Sequence, residues 1–322
     1  MTWTPDLTAF GNRLRKNARH WARWARREDT ECFRVYDRDL PEFPLQIDCY
    51  GDRAHVQLLH KGRWTDPEVL DRSGPELLET VAAALTDGDT TRLAAKIRER
   101  GRGGEQYAES GQTEGEAFVV REHGLLFEVN LERYLDTGLF LDHRSTRARV
   151  RAQAQGRRFL NLFAYTGSFT VHAAAGGACS SLTLDLSNTY TDWARRNLVL
   201  NGLDRPEHQV FATDVLRWLE GNPRRDESFG LIVLDPPSFS NSKRMDTSFD
   251  VQRDHAWLIN RTLLRLAPDG VLIFSSNRQG FELHAPEITT GQILEITRRT
   301  TPPDFQRHPP HRCWEIRHWH DG

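Results

Sequence analysis

The chain has little sulfur chemistry to offer. Four cysteines stand among its 322 residues, Cys32, Cys49, Cys179 and Cys313, and no two of them form a CxxC pair. That spacing excludes a zinc knuckle and a disulfide framework, so reduced, mostly structural thiols and no bound metal are expected. No apolar run approaches the ~20 residues of a membrane span, and no signal-type segment opens the sequence; a cytoplasmic protein that meets no membrane is the expectation. An excess of one charge is missing too, since 43 basic residues against 45 acidic give a formal net charge of −2. Any nucleic-acid partner must then be held by local basic patches. No Gly-Lys-Ser/Thr follows a glycine loop and no GxSxG occurs, which removes Walker-type nucleotide binding and the nucleophile elbow.

What is present is organised around Phe159-Leu-Asn-Leu-Phe-Ala-Tyr-Thr-Gly-Ser168. An apolar run, a small turn at Thr166-Gly167-Ser168 and a helical pattern over 169–175 make the first βα corner of a doubly wound sheet, where ligands collect at the carboxyl ends of the strands. Gly167, lacking a Cβ, permits a tight turn and a close approach of an adenosine-type ligand to the main chain. An ordinary βα loop would look the same. The acidic residues that follow decide between the two.

Residues 7–28 read as an amphipathic helix, with Phe10, Leu14, Ala18, Trp21 and Ala25 on one face. Arg13, Lys16, Arg23 and Arg27 fall on another, beside Arg15, Arg19 and Arg26. Acidic residues are confined to Asp6, Glu28 and Asp29 over the first thirty positions, so the intermixed ion pairs of a solvated face are missing and phosphate contact is the favoured reading. Short β runs at 32–36, 45–50 and 54–59 and a helix at 75–85 make a small α+β unit. Lys96-Ile-Arg-Glu-Arg-Gly-Arg-Gly-Gly104 ends a strand in a glycine- and arginine-rich loop, where Arg98, Arg100 and Arg102 suit phosphate; a plain surface loop is the alternative. A hairpin at 117–121 and 125–129 turns on His123-Gly124. The domain boundary is placed at 134, giving an amino-terminal unit over 1–133 and a second domain over 134–322. A helix follows through 151. In that second domain strands at 158–163, 181–185, 209–212, 231–234 and 271–275 alternate with helices at 169–175, 189–201, 215–220 and 251–266. This predicts an α/β Rossmann-like fold with a mainly parallel sheet. Pro268-Asp269-Gly270 supplies a turn, and runs at 293–297 and 313–319 could close the sheet as an antiparallel edge pair.

Three strand ends carry Asp185, Asp214 and Asp235. A dinucleotide site needs one such carboxylate; three on successive strands fit S-adenosylmethionine, whose ribose, adenine and cationic sulfonium end each want an acceptor. In Leu231-Ile-Val-Leu-Asp-Pro-Pro-Ser-Phe239 the two prolines remove backbone donors and fix φ, leaving the carbonyls near Asp235 and Pro236 free to accept from a base while Phe239 offers a stacking face. Asp235, Pro236, Pro237 and Phe239 are therefore the candidate catalytic set.

The chain resembles the RlmK type of 23S rRNA guanine-N7 methyltransferase, which also occurs as the carboxy-terminal half of a fused RlmKL protein. The resemblance rests on Phe10-Gly-Asn-Arg-Leu-Arg-Lys-Asn17, Tyr36-Asp-Arg-Asp-Leu-Pro41, Leu135-Asp-Thr-Gly-Leu-Phe-Leu-Asp-His-Arg144, Asn161-Leu-Phe-Ala-Tyr-Thr-Gly167, Asp235-Pro-Pro-Ser-Phe-Ser-Asn-Ser-Lys-Arg-Met245 and Phe249-Asp-Val-Gln-Arg-Asp-His255. It implies a class I methyltransferase that binds S-adenosylmethionine and acts on domain V of 23S rRNA or a pre-ribosomal large-subunit particle. By position it nominates Asn161, Phe163, Tyr165, Thr166, Asp185, Asp214 and Asp235 as cofactor shell, with Phe140, Arg144, Ala164, Gly167, Leu186, Ser187 and Val215 beside them. Lys243 and Arg244 join the RNA-binding set of Arg13, Arg15, Lys16, Arg19, Arg23, Arg98, Arg100 and Arg102. The fused companion half has no counterpart in this sequence, so a separate partner could stand in its place. Cytosine-C5 enzymes need a cysteine nucleophile, and neither Asp235-Pro-Pro nor Ile273-Phe-Ser-Ser-Asn-Arg278 holds one. Methylation of an exocyclic amine in rRNA or tRNA, and a non-catalytic ribosome-assembly protein, stay open as alternatives.

Overall fold

Two sheets, joined by a hairpin, take up the patterns just described. The computed structural model describes residues 4–59, 62–98, 115–134, 136–223, 228–240, 248–289 and 291–319. The chain opens with helix α1 (Leu7–Arg27), started by Asp6, whose carboxylate accepts from the Ala9 amide. Strands β1 (Cys32–Asp37), β2 (Leu45–Tyr50) and β3 (Arg53–Leu59) form an antiparallel meander, and β4 (Leu93–Arg98) adds parallel to β3. Helix α2 (Pro67–Leu85) crosses back between them. It begins eight residues before the expected Pro75, because Asp66 caps the Glu68 amide and Pro67 suits the first turn. Pro75 forfeits one hydrogen bond inside the helix, and the buried stripe of Val69, Leu77 and Val81 outweighs that loss. Phe10 and Leu14 of α1 fill the same core, with Phe10 stacked on Phe43 at 4.6 Å between ring centres.

Strands β5 (Phe118–Glu122) and β6 (Leu125–Val129) form the predicted hairpin. Then α3 (Arg144–Gln153) leads into alternating β7 (Arg158–Leu162), α4 (Ser168–Ala175), β8 (Ser180–Asp185), α5 (Asn188–Leu200), β9 (His208–Ala212), α6 (Val215–Glu220) and β10 (Phe229–Leu234). Two-residue strands β11 (Phe239–Ser240) and β12 (Phe249–Asp250) pair with each other, ahead of α7 (Val251–Leu263), β13 (Leu266–Ser276), β14 (Gln292–Glu295), α8 (Thr297–Thr300) and β15 (Arg312–Arg317). The large sheet has the order β14-β15-β13-β10-β7-β8-β9. Its five central and distal strands run parallel, and β15 pairs antiparallel with both β13 and β14, which is the edge pair expected. The expected turn at Pro268-Asp269-Gly270 lies inside β13: pairing with β10 jumps from Phe229–Leu266 to Leu231–Val271, so those residues bulge without ending the strand. The late run also stops earlier than expected, at Glu295, because Thr297 opens a short helix and turns its hydroxyl onto Glu295 Oε1 at 2.8 Å. No described helix is long and apolar enough to cross a membrane.

The order places the switch in winding between β7 and β10, where the chain leaves one side of the first strand and returns on the other. A crevice opens there outside the strand ends. Apolar clusters cover both sheet faces, with Leu160, Ile232 and Phe274 on one and Phe159, Val233 and Ile273 on the other. A third cluster unites Cys32 and Tyr50 with the hairpin's Phe127 and with Val171 and Leu198 of α4 and α5. The small sheet therefore shares a core with the large one.

Candidate functional site

The corner after β7 is conformationally costly. Phe163 and Tyr165 both adopt left-handed backbone, with φ of 57° and 51°, and Gly167 follows at 71°. Left-handed conformation costs a residue with a Cβ about 1–2 kcal/mol, and such strain gathers at ligand sites. Gly167 is needed for packing as well as for φ: a Cβ there would lie 2.6 Å from the Ala194 Cβ of α5. The missing Cβ thus makes room for α5.

Asp185 closes β8 beside this corner. Its carboxylate accepts from the Tyr165 amide at 2.8 Å and the Ser187 amide at 2.9 Å, and burial still pushes its pKa up to about 6. Asp214 follows β9 and caps α6, accepting from the Leu216 amide at 2.9 Å. Asp235 follows β10, where Ser275 Oγ donates to its Oδ1 at 2.6 Å and His143 Nε2 stands 3.4 Å from its Oδ2. All three carboxylates line one crevice of about 1070 Å³, counted to its open mouth.

Most of the predicted shell joins them. Phe140, Phe163, Ala164, Tyr165, Leu186 and Val215 line the crevice, as do Pro236 and Pro237. Asn161, Thr166, Gly167 and Ser187 stand behind it and brace it. The Asn161 amide donates to Thr170 Oγ1 at 3.0 Å, Thr166 Oγ1 donates to the Gly138 carbonyl at 2.6 Å, and the Ser187 side chain caps α5. Arg144 does not reach the crevice at all. Its guanidinium is buried against Asp304 at 2.8 Å and lies over the Trp24 ring, while Arg147, one helical turn on, lines the site. Phe239 is half-buried in β11 and is not among the lining residues; its neighbour Ser240 is, together with Phe249 across the ladder. Successive strand side chains point to opposite faces, so one residue decides which of the two is offered to the crevice.

The sequence reading missed Asp136, His143, Arg147, Tyr190 and Asn277 on the crevice wall. Asp136 and His143 lie in the 135–144 stretch and Asn277 in 273–278, but no spacing there marks them as site residues; Arg147 and Tyr190 stand outside the quoted stretches. No cysteine lines the crevice among the described residues. Burial pushes the thiols of Cys32 and Cys313 up and holds Cys49 at about 12, so none of the three is a ready thiolate.

Of the residues expected to contact RNA, Arg13, Arg15, Lys16, Arg19 and Arg23 are exposed along α1. Arg13 stands 3.9 Å from Asp39; the other four have no carboxylate partner among the described residues. Arg98 ends β4, with its side chain outside the described residues, as are Arg100, Arg102, Lys243 and Arg244 altogether.

A crevice with carboxylates at the ends of three strands, two to one side of β7 and one to the other, suits an adenosine ligand with a cationic arm. Known proteins agree. Residues 48–308 match the S-adenosylmethionine-dependent methyltransferase family. The chain is 49% identical over 313 residues to ribosomal RNA large subunit methyltransferase K of Neisseria meningitidis serogroup B, covering 97% of this chain and 88% of that protein. It is 49% identical over 311 residues to ribosomal RNA large subunit methyltransferase K/L of Pseudomonas entomophila, but spans only 42% of that longer protein. Among solved structures, SMU.776, crystallised in complex with SAH, superposes with a TM-score of 0.74 at 24% identity, covering 98% of this chain and 83% of that one.

Proposed function

The chain belongs to the S-adenosylmethionine-dependent methyltransferase family, and from that premise we propose that it methylates N7 of one guanosine in domain V of 23S rRNA. The observation that carries the RNA reading is the 49% identity, over nearly the whole chain, to a protein named for large-subunit rRNA methylation. Ribosomes and their assembly intermediates would then be its partners, in the cytoplasm.

S-adenosylmethionine supplies an electrophilic methyl group. The chain's part is to hold and orient. Asp185 is set to accept from ribose hydroxyls, Asp214 and the neighbouring amides border the place for the base, and Asp235 presents negative charge where the strand ends meet the Pro236-Pro237 turn. The turn lacks backbone donors at both prolines, so its carbonyls can accept from an incoming base. Guanine N7 has an exposed lone pair and no proton to remove; in-line alignment suffices and no general base has to be found. Among the described residues the crevice holds no cysteine for covalent activation of a carbon, which disfavours the cytosine-C5 reaction. Lys243 and Arg244 would hold flanking phosphates of a nucleotide turned out of its helix.

The test is to map methylated nucleotides in 23S rRNA with and without the gene. The fixed positive charge of N7-methylguanosine labilises its glycosidic bond, so borohydride and aniline should cleave the RNA at one gene-dependent site. Label recovered as N2-methylguanosine or 5-methylcytosine would overturn the N7 assignment. No gene-dependent methylation, with cofactor binding intact, would favour the assembly-protein alternative.

A further inference from the structure

Behind Asp235 stands a buried group of side chains that the proposed transfer leaves unused. His143 lines the crevice while almost wholly buried, with its Nε2 3.4 Å from Asp235 Oδ2. Its ring stacks on His311, centroids 4.3 Å apart and planes 15° from parallel, and meets Phe169 edge-on at 5.5 Å. His311 Nδ1 in turn lies 2.9 Å from Asp142 Oδ2. Among the described residues, the buried Nδ1 of His143 has no hydrogen-bond partner. A bare lone pair is cheaper to bury than an N–H without an acceptor, so the proton belongs on Nε2, facing Asp235.

We propose that His143 is a positioning residue for methyl transfer: its neutral Nε2–H fixes the Asp235 carboxylate opposite Ser275, and its own lack of charge keeps the carboxylate's charge available to the cofactor's cationic sulfur. This rests on the methyltransferase reading above. The arrangement works as a clamp. Ser275 holds one carboxylate oxygen and His143 faces the other, while stacking against His311, itself tied to Asp142, prevents the imidazole from swinging away. A metal centre at Asp142, His143 and His311 is the competing idea, since their ligand atoms lie within 4.8 Å of one another. The stacking argues against it: two near-parallel rings aim their in-plane lone pairs along separate planes, and these do not converge on one ion.

Protonation of His143 would set a cation beside Asp235 and cancel part of its charge. The groups facing the ring are Asp235 from the end of β10, Asp142 from its own turn, His311 from the segment before β15 and Arg147 from α3. Burial prevails over the two carboxylates and keeps His143 below the ordinary imidazole range, hence neutral at neutral pH. Asp185 titrates in the same crevice, but it faces the part of the cofactor that S-adenosylmethionine and S-adenosylhomocysteine share. The ratio of their affinities therefore isolates the charge at Asp235.

The experiment is calorimetric titration of both ligands between about pH 5 and 8, with the parent chain, His143→Gln and His143→Leu, plus turnover on rRNA. In the parent, relative affinity for the cationic ligand should hold through neutral pH and fall only below the ordinary imidazole range, where His143 gains its proton. Gln can donate a hydrogen bond but cannot charge, so its ratio should stay flat and its turnover near the parent's. Leu, which puts no N–H before the carboxylate, should lose roughly tenfold in turnover, with S-adenosylhomocysteine affinity nearly unchanged. A Gln variant with the parent's pH-dependent ratio, or a Leu variant with the parent's turnover and ratio, would reduce His143 to packing. If Leu does not fold, the Gln ratio alone decides. If the parent methylates no rRNA, the substrate reading fails, and the ligand ratio still judges His143.

Discussion

A carboxylate that accepts from several backbone amides ought to ionise easily, yet burial holds Asp185 up at about 6. The sign of the consequence follows. Its folded pKa is raised, so this group's stabilising contribution to the apoprotein is full below the ordinary carboxyl value and is lost as pH rises through about 6. Binding runs the other way, because ribose hydroxyls want the ionised acceptor. Affinity for S-adenosylhomocysteine should be highest above pH 6 and decline as pH falls through it. Replacing Asp185 with Ala should remove charge-assisted hydrogen bonds worth roughly 1.5–3 kcal/mol, a ten- to hundredfold loss readable by calorimetry. Unchanged affinity in a folded variant would mean the crevice is misassigned. At this scale the strand-end aspartates were legible because a strand end is a fixed address for a ligand. Phe239 was not, since one step of strand alternation decides between it and Ser240. His143 was hidden because only the fold brings it to Asp235, 92 positions further along the chain. Arg144 and Arg147 sit one turn apart on one helix, and sequence spacing does not say which reaches the site.

At the scale of elements, the alternation of strands and helices was readable because each apolar run had its own turn chemistry. Two boundaries were not. Pro75 reads as a helix start, but the cap at Asp66 and the buried face of α2 carry the helix through it, and pairing on both sides of β13 absorbs a turn-like tripeptide. The α4–α5 contact offers a sharp test. Gly167→Ala must place a methyl group 2.6 Å from the Ala194 Cβ while holding φ at 71°. Adding a left-handed penalty of ~1–2 kcal/mol to ~1–3 kcal/mol of overpacking predicts a loss of about 2–5 kcal/mol in chemical denaturation. A loss within experimental error would show that α4 can shift freely. Helix α1 is tested by charge. Changing Arg13, Lys16 and Arg23 to Glu should weaken rRNA binding and flatten its salt dependence, each lost phosphate contact removing roughly 0.7–0.9 from the slope, while S-adenosylhomocysteine still binds. A salt slope equal to the parent's would make the face merely solvated and shift attention to the loop after β4.

For the molecule as a whole, the proposed division at 134 separates two sheets that remain locked by buried charge. Glu122 of the hairpin pairs with Arg147 at 2.7 Å and lies 3.6 Å from Arg144, which pairs with Asp304; Asp304 also accepts from the Arg34 amide of the small sheet at 2.9 Å. His172 of α4 completes the group 3.4 Å from Glu122, its ring stacked on Phe127. Removing one member of a buried ion group leaves its partners uncompensated, so Glu122→Gln should cost about 3–5 kcal/mol and shift one cooperative unfolding transition without splitting it into two. The pH dependence belongs to the same group. Burial holds the His172 pKa at about 4, below the ordinary 6.5. A depressed folded pKa means stability that is fully present above 6.5 and is lost as pH falls toward 4, because the unfolded chain takes up the proton first. His172 alone should then cost about 2 kcal/mol between pH 7 and 5, and Asp185, with its raised pKa, opposes that trend. Urea unfolding of the parent should therefore weaken on acidification over this range. His172→Leu, though less stable at pH 7, should trace a flatter curve; parallel curves would move the titrating group away from the seam between the sheets and to another buried imidazole.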